Sequence, residues 1–232
     1  MITAASNSRI KRLVQLNQKS KLRRTEDVFL AEGVKMFLEA PREQLQEVYV
    51  SESFLEKCSC REHLGEVGYE VVSDSVFSKI SDTCTPQGVL CVLKQFHYNI
   101  EEMLRDKAPL FLLLENIQDP GNLGTMLRTG EGAGVSGIIM SRDTVDLYNP
   151  KVIRSTMGSI YRVPFYYADD FAAAVHQVQQ AGVSVYAAHL RGKNSYACQD
   201  YTKGTAFLIG NEGNGLREET AELADCYIRI PM

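Results

Sequence analysis

The chain has 232 residues, of which 44% are apolar and 23% are charged, a composition that excludes an intrinsically disordered protein. No apolar run approaches the ~20 residues that cross a bilayer, and the N-terminus lacks a signal-peptide core, so we expect a cytoplasmic protein without a membrane partner. None of the six cysteines forms a CxxC pair or lies at zinc-ligand spacing from a histidine, so we expect no metal site.

The N-terminal segment carries concentrated positive charge, although the net charge of the chain is −4. Apolar residues at positions 10, 13 and 14, after an N-cap within residues 6–8, predict a short helix. A basic face on an otherwise acidic chain indicates an arm that binds a polyanion, and a solvated basic helix is the alternative. The first 25 residues hold no acid and seven basic residues: Arg9, Lys11, Arg12, Lys19, Lys21, Arg23 and Arg24.

Residues 28–93 alternate between strand and helix patterns, which indicates a small α/β domain over residues 1–95. Residues 96–108 are polar and mixed, which is typical of a linker with room for one helix. The predicted strands are Val28–Ala31, Glu47–Val50, Tyr69–Val72 and Gly88–Leu93, and the predicted helices are Val34–Ala40, Ser53–His63 and Asp74–Ser81.

The same alternation resumes after Pro109. The continuous apolar run at Leu110–Leu114 is typical of a parallel strand covered on both faces. We therefore predict a second α/β domain, built on a parallel sheet, over residues 109–232. Its predicted strands are Leu110–Leu114, Gly137–Met140, Ser184–Ala188, Thr205–Ile209 and Cys226–Ile230, and its predicted helices are Leu123–Ala133, Pro150–Met157, Phe171–Ala181 and Leu216–Ala224.

The turn after the first strand of this second domain is one candidate site. Asp119-Pro120-Gly121 leads into a helix that we expect Asn122 to cap, and Arg128 lies six residues further along. Both side chains can then point toward the carboxyl end of the sheet, where open α/β sheets bind their ligands. From residue chemistry alone, a purely structural role for the two residues is equally compatible with this pattern.

A glycine-rich loop after the strand Thr205–Ile209 is the second candidate. Its GxxGxG spacing over residues 210–215 matches neither the GxGxxG dinucleotide fingerprint nor a phosphate-binding P-loop. Glycines at the carboxyl end of a strand let backbone groups contact a ligand, and Glu212 argues against phosphate because a carboxylate repels it. The last strand ends in Ile230-Pro231-Met232.

Together these segments resemble the SpoU-type (TrmH) RNA 2′-O-ribose methyltransferases of the SPOUT superfamily. The first motif of that family places an Asn six residues before an Arg, after a Pro-Gly-Asn turn, as at Asn122 and Arg128. Its second is a Gly-x-Glu-x-x-Gly loop, matched at residues 210–215, and its third begins with Ile-Pro-Met. Residues 149–164 resemble the Arg-x-Ser/Thr-x-Gly segment of the family.

The resemblance extends to the N-terminal part of the chain. This part looks like the substrate-binding domain of the ribosomal-RNA branch, which is similar to a ribosomal-protein RNA-binding fold. The resemblance lies in the segments SNSRIKRLVQL and FLAEGVKMFLEA, and in TPQGVLCVL, which ends the domain as in that branch. The implied fold is a small RNA-binding α/β domain followed by a trefoil-knot α/β domain.

The resemblance implies methyl transfer from S-adenosylmethionine to a ribose 2′-hydroxyl, with ribosomal RNA as substrate and a homodimer as assembly. It assigns catalysis to Asn122, Arg128 and Glu212. We expect Asn122 to orient Arg128 or the ribose, and Glu212 to fix Arg128 by a salt bridge or a hydrogen bond. The expected cofactor residues are Leu190, Ile209, Gly210, Asn211, Gly215, Ile230 and Met232. The expected RNA contacts are Arg9, Lys11, Arg12, Lys21, Arg23, Arg24 and Arg154, the last of which is as compatible with an ordinary helix-surface position.

One departure concerns the third motif. In the family it continues beyond Ile-Pro-Met into Gly, Ser-Leu-Asn and a final helix, whereas the sequence ends at Met232. We expect either that this segment has been removed or, as we favour, that a mobile tail carries it. The trefoil knot is then expected to be incomplete in these residues.

Three other functions fit parts of the pattern. A non-catalytic RNA-binding protein would keep the fold but would not need Asn122, Arg128 and Glu212. A nucleotide-dependent Rossmann enzyme requires GxGxxG with an acid ~20 residues on, and the sequence has neither. A transfer-RNA ribose methyltransferase stays open, because the sequence does not name the modified RNA.

Overall fold

The computed structural model describes residues 1–57 and 60–231, which form two compact units. Unit 1 holds the described residues between 1 and 96 together with 146–161, and unit 2 holds 97–145 together with 162–231. The segment 146–161 therefore belongs to unit 1 although it lies between two strands of unit 2 in the sequence. No helix in the described part of the chain is long and apolar enough to cross a membrane.

The elements alternate between helix and strand along most of the chain. The helices are α1 Ser8–Gln18, α2 Ser20–Glu26, α3 Val34–Leu38, α4 Glu52–Lys57, α5 Arg61–Val67, α6 Asp74–Ile80, α7 Ile100–Met103, α8 Pro120–Ala133, α9 Pro150–Thr156, α10 Phe171–Gln180 and α11 Glu218–Ala221. The strands are β1 Val28–Glu32, β2 Leu45–Ser51, β3 Glu70–Val72, β4 Val89–Lys94, β5 Leu110–Leu114, β6 Gly137–Ser141, β7 Phe165–Ala168, β8 Ser184–Ala188, β9 Asn194–Ser195, β10 Thr205–Ile209 and β11 Cys226–Arg229.

Unit 1 is built on a four-stranded mixed sheet in the order β1-β4-β2-β3. β4 is antiparallel to both of its neighbours, and β2 is parallel to β3. The apolar faces of α1 and α6 are buried with this sheet, and Leu13 and Phe77 have almost no exposed surface. Tyr49 on β2 belongs to the same core.

The N-terminal arm forms two helices rather than the single short helix predicted. Asn7 caps α1, because its side chain accepts a hydrogen bond from the backbone N–H of Arg9 at 2.9 Å. Ile10 and Leu13 are buried as the helical spacing predicts, together with Leu16. Lys19 is extended and separates α1 from α2, and nothing in the apolar spacing indicates this break.

Unit 2 is built on a seven-stranded sheet in the order β7-β6-β5-β10-β8-β11-β9, and every pair of neighbouring strands is parallel. All five residues of β6 are buried, as expected for a strand covered on both faces. The predicted α/β class and parallel sheet are therefore confirmed.

The start of α8 differs from the prediction that Asn122 caps it. Asp119 is the N-cap, because its side chain accepts from the backbone N–H of Asn122 at 2.8 Å. Pro120 then occupies the first helical position, where a missing N–H costs nothing. Asn122 therefore lies within the first turn, and its side chain is not used as a cap.

Other differences concern short elements. The predicted helix Ser53–His63 corresponds to α4 and α5, with residues 58 and 59 outside the described part. Residues 96–108, predicted as a linker with room for one helix, contain the short helix α7, and its Ile100 and Met103 are buried. β7 and β9 are additional strands, and the predicted helix Leu216–Ala224 contracts to α11 because the chain before it is held by side-chain contacts described below.

Candidate active site

The two candidate motifs meet at the middle of the unit 2 sheet. β5 pairs in parallel with β6 on one side and with β10 on the other, so the chain leaves β5 and β10 side by side at one edge. The backbone N–H of Glu115 donates to the carbonyl of Ile209 at 2.9 Å, which joins the two strand exits. The order of strands along the chain reverses here, and open α/β sheets bind their ligands at such a position.

The loop after β10 folds tightly on itself. The backbones of Asn211 and Gly215 exchange hydrogen bonds of 3.0 and 2.9 Å, and Gly215 has a φ of 70°. A Cβ on Gly210 would lie 2.2 Å from the carbonyl carbon of Gly215, so only glycine fits there. The Asn211 side chain donates to the carbonyl of Asn116 at 2.8 Å, which ties this loop to the segment after β5.

Glu212 joins the two motifs through its carboxylate. Its oxygens accept from the backbone N–H of Gln118 at 3.0 Å, from that of Asp119 at 2.9 Å and from the side-chain amide of Asn122 at 3.2 Å. Partial burial acts to raise the pKa of the Glu212 carboxyl, but the hydrogen bonds from Gln118, Asp119 and Asn122 outweigh it and hold the pKa below its ordinary value. Glu212 is therefore an ionised acceptor that fixes the start of α8.

Arg128 does not take part in this cluster, so the predicted salt bridge between Glu212 and Arg128 is wrong. The three amide donors occupy Glu212, while Arg128 lies on the exposed surface of α8. Among the described residues, the side chain of Arg128 has neither a hydrogen bond nor an ion pair. The structure thus joins Asn122 to Glu212 and leaves the Arg128 guanidinium free.

The residues predicted to hold a cofactor lie at the carboxyl ends of three neighbouring strands, β10, β8 and β11. Gly210 and Asn211 follow β10, Leu190 follows β8 and is 79% exposed, and Ile230 follows β11 and is 55% exposed. Ile209 is the partly buried last residue of β10, and Gly215 is exposed. Met232 lies outside the described residues.

Five further residues at this edge were not singled out from the sequence: Glu115, Gln118, Asp119, Asp143 and Arg217. The Asp-Pro dipeptide is itself a helix-start signal and could have identified Asp119 as the cap. The buried Glu115 has no local pattern, because its partners lie about a hundred residues away in the sequence.

The basic residues of the arm fall into two groups in unit 1. Arg9 pairs with Glu70 at 3.0 Å, and Arg12 pairs with two carboxylates. Arg23 is only 3% exposed; it pairs with Asp146 at 2.6 Å and donates to the Leu16 carbonyl at 2.6 Å. Arg23 is therefore a core residue and not the RNA contact that was predicted.

The second group keeps its charge free. Lys11, Lys19, Lys21 and Arg24 are exposed, and no hydrogen bond or ion pair joins their side chains to another described residue. Arg154 on α9 instead donates to the carbonyl of Asp82 at 3.2 Å and pairs with its carboxylate at 3.3 Å. Across the described residues, no three His, Cys, Asp or Glu side chains converge as metal ligands.

Comparison with known proteins agrees with this geometry. A model of the SpoU rRNA methylase family matches residues 109–232, and a model of the MRM3-like substrate binding domain matches residues 7–91. The whole chain is 30% identical to the 23S rRNA (guanosine(2553)-2′-O)-methyltransferase RlmP of Bacillus subtilis and covers 90% of it.

Two solved structures from Sinorhizobium meliloti are also similar. A crystal structure of an rRNA methyltransferase is 30% identical, with a TM-score of 0.87 over 100% of this chain and 89% of that one. A crystal structure of an AdoMet-bound rRNA methyltransferase is 29% identical, with a TM-score of 0.84 over 100% of this chain and 88% of that one.

The parallel α/β fold of unit 2 and the family model that matches it define a methyltransferase of the SPOUT class. The family model covers more than half of the chain, and a relative of nearly equal length reaches 30% identity. The chain belongs to the SpoU rRNA methylase family, which confirms the resemblance drawn from its motifs.

Proposed function

We propose that the protein transfers a methyl group from S-adenosylmethionine to a ribose 2′-hydroxyl of ribosomal RNA. The observation that carries this proposal is the junction of Asn122 and Glu212 at the centre of the unit 2 sheet, within the segment that matches the SpoU family. The relatives named above are ribosomal-RNA methyltransferases, and one neighbour binds AdoMet.

The residues at the sheet edge fit such a cofactor. S-adenosylmethionine combines a flat adenine, a polar amino acid and a sulfonium that carries the reactive methyl. Exposed Leu190 and Ile230 offer apolar surface for the adenine, and the loop from Gly210 to Gly215 offers backbone groups without side-chain obstruction. We assign cofactor binding to these residues together with Ile209 and Asn211.

Positioning is the main task of the protein in this reaction. The ribose oxygen attacks the methyl carbon in line, the carbon–sulfur bond breaks, and the hydroxyl proton leaves. Well-oriented reactants can lower such a barrier by ~7–11 kcal/mol. The Asn122 side-chain amide donates one hydrogen bond to Glu212. The side-chain oxygen of Asn122 has no partner among the described residues and can accept a hydrogen bond from the ribose.

Arg128 supplies positive charge where the ribose oxygen becomes negative. A guanidinium stays protonated in proteins, so Arg128 acts as a cation that holds the substrate phosphate and stabilises the developing alkoxide. A phosphate oxygen or water then takes the proton. The free guanidinium on α8 supports this role, since no carboxylate of the described residues competes for it.

RNA docking is assigned to the free cations of the arm. Lys11, Lys21 and Arg24 are exposed and unpaired within the described part, whereas the carboxylate partners of Arg9 and Arg12 reduce the net charge at those positions. Phosphate contacts of this kind position RNA without reading its sequence. The match of residues 7–91 to a substrate-binding domain supports the same assignment.

The family resemblance also implies a homodimer, which we propose together with a cytoplasmic location. Sedimentation at micromolar concentration with and without RNA tests the dimer. A monomer under both conditions would contradict it.

Methyl transfer can be measured directly with S-adenosylmethionine labelled in its methyl group. We expect label in ribosomal RNA, recovered after alkaline hydrolysis in dinucleotides that the 2′-O-methyl group protects from cleavage. Label in alkali-sensitive mononucleotides would mean base methylation, and RNA binding without label would mean the non-catalytic alternative. Preferential labelling of transfer RNA would mean that transfer RNA, and not ribosomal RNA, is the substrate of the same ribose methylation.

A further inference from the structure

A second cluster lies directly beside Glu212, centred on the buried carboxylate of Glu115. Glu115 is 1% exposed and follows the last residue of β5. Its oxygens accept from the backbone N–H of Arg217 at 2.8 Å and from the Thr220 hydroxyl at 2.5 Å. A buried carboxylate is costly unless its hydrogen bonds are satisfied, so these contacts hold the end of the 210–217 loop against β5.

Arg217 connects Glu115 to a third segment, the loop after β6. Its guanidinium lies 3.4 Å from the Glu115 carboxylate and pairs with the carboxylate of Asp143. Partial burial acts to raise the pKa of Asp143, but hydrogen bonds from Ser141 and Arg217 outweigh it and lower the pKa. We call the contacts of Arg217 with Glu115 and Asp143 the Arg217 bridge.

The Arg217 bridge closes a ring of contacts that includes Glu212. The backbone carbonyl of Asp143 accepts from the Gln118 side chain at 2.6 Å, and the backbone N–H of Gln118 donates to Glu212 at 3.0 Å. Glu212 lies five residues before Arg217 on the same loop. Three loop segments, after β5, β6 and β10, are thereby fixed in one arrangement.

We propose that Arg217, held between Glu115 and Asp143, is a positioning residue that sets the place of Glu212 and Asn122 for methyl transfer. The measurement of kcat for this inference rests on the proposed function, whereas the NMR titration of Glu212 described below does not. Arg217 acts through other groups: its guanidinium is committed to two carboxylates, whereas Arg128 on α8 is free. Loss of the bridge frees the Asp143 loop and with it the backbone carbonyl that holds the Gln118 side chain.

The expected consequence is a loss of turnover rather than of substrate binding. Displacement of a reacting group by about 1 Å can cost ~10²-fold in rate. Arg217→Met keeps an apolar stem but removes both guanidinium contacts, and we expect kcat to fall by about 10- to 100-fold. KM for RNA should stay within about two-fold, because RNA docking is assigned to unit 1. Arg217→Lys can keep one contact of the two and should give an intermediate kcat.

The matched control is Arg142→Met. Arg142 is also an exposed arginine of unit 2 paired with an aspartate, Asp169, but this pair lies outside the ring. We expect kcat and melting temperature close to wild type for Arg142→Met. The double variant Arg217→Met with Asp143→Asn should be no slower than Arg217→Met alone, since both changes remove the same bridge.

A geometric readout separates this inference from the reaction itself. The groups facing Glu212 are the amides of Gln118, Asp119 and Asn122, the adjacent Asn211 side chain, and the Asp119 carboxylate in the α8 cap. If the bridge sets these contacts, carboxyl-carbon NMR should show the pKa of Glu212 rising in Arg217→Met and unchanged in Arg142→Met. This holds even if the wild-type protein methylates no RNA, in which case the proposed function fails alone.

Three results would overturn the inference. One is an unchanged kcat and an unchanged Glu212 titration in folded Arg217→Met. Another is a fall in kcat that matches the loss of folded protein and is equally large in Arg142→Met. A third is strictly additive effects of Arg217→Met and Asp143→Asn.

Discussion

At the scale of single residues, the site contains a carboxylate fixed by hydrogen bonds, Glu212, and a cation without a side-chain partner among the described residues, Arg128. Glu212 accepts hydrogen bonds from the amides of Gln118, Asp119 and Asn122 and cannot leave them without opening the start of α8. Arg128, on the next turns of the same helix, keeps its guanidinium unpaired among the described residues. A bound RNA can therefore engage Arg128 without first breaking an ion pair.

Arg128→Lys keeps the positive charge but removes the planar guanidinium, which can donate two parallel hydrogen bonds. Because a lysine ammonium cannot hold a phosphate and the ribose oxygen in the same bidentate geometry, we expect kcat/KM to fall by about 10²-fold or more. The melting temperature should not change, since the Arg128 side chain is exposed and has no hydrogen bond or ion pair within the described residues. Steady-state kinetics with Arg142→Lys as control tests this, and unimpaired turnover of Arg128→Lys would contradict the role of Arg128.

Glu212→Gln is expected to lower stability in a pH-dependent way. The pKa of Glu212 lies below its ordinary value of 4.5 in the folded protein, so its stabilising contribution is complete above that value and is lost as the pH falls through the folded-state pKa. The gap in unfolding free energy between wild type and Glu212→Gln should be present at neutral pH and shrink between about pH 5 and pH 3.

Urea denaturation at a series of pH values measures this gap. Glu222→Gln, the loss of another exposed carboxylate in unit 2, accounts for the effect of removing one surface charge. A gap that is constant across the acid range would contradict the ionised, amide-bound state of Glu212.

At the scale of elements, two glycines of unit 2 differ sharply in the space available for a side chain, one in the loop after β10 and one in α8. At Gly210 a Cβ would meet the backbone of Gly215 and Leu216 at 2.2 Å. At Gly132, inside α8, a Cβ would meet nothing within 4 Å. The two glycines thus provide a test and its control within one unit.

Gly210→Ala is expected to force the loop open. We expect a loss of about 3 kcal/mol in unfolding free energy and a strong loss of S-adenosylmethionine binding, because the loop backbone must move. Gly132→Ala should instead stabilise the protein by about 0.5–1 kcal/mol, since alanine is the better helix former. Chemical denaturation and calorimetric titration measure both, and equal stability of the two variants would contradict the loop geometry.

The two basic helices of the arm carry a second test at this scale. Reversal of Lys21 and Arg24 to glutamate should weaken RNA binding most at low salt and reduce the slope of log affinity against log salt by about 2. The charge-matched control is Lys107→Glu with Lys203→Glu, two exposed lysines of unit 2. Identical salt slopes for the two double variants would show that the arm is not the docking surface.

At the scale of the whole molecule, the sequence predicted the fold best where the patterns are local. The strands at Leu110–Leu114, Ser184–Ala188 and Thr205–Ile209 were predicted to the residue, because continuous apolar runs bounded by turns have few alternatives. The position of segment 146–161 in unit 1 could not be read in this way. It depends on contacts such as that of Arg23 with Asp146, which join residues far apart in the chain.

The same distinction holds for the site. The Asn122 and Glu212 motifs were identified from spacing and from resemblance, and the structure brings them together. The predicted partner of Glu212, Arg128, was wrong. The donors that bind this carboxylate are set by the path of the backbone at Gln118 and Asp119, which residue types do not reveal. Charge alone also placed Arg23 on the surface, whereas a partly buried aspartate partner and carbonyls at the end of α1 hold it inside.

The most direct test is a map of ribose methylation in ribosomal RNA from cells that contain the gene, lack it, or carry Glu212→Gln or Arg128→Lys in its place. We predict one 2′-O-methyl position that disappears on deletion, returns with the wild-type gene, and stays absent or strongly reduced with either variant. A methylation map that is the same in all four strains would contradict it.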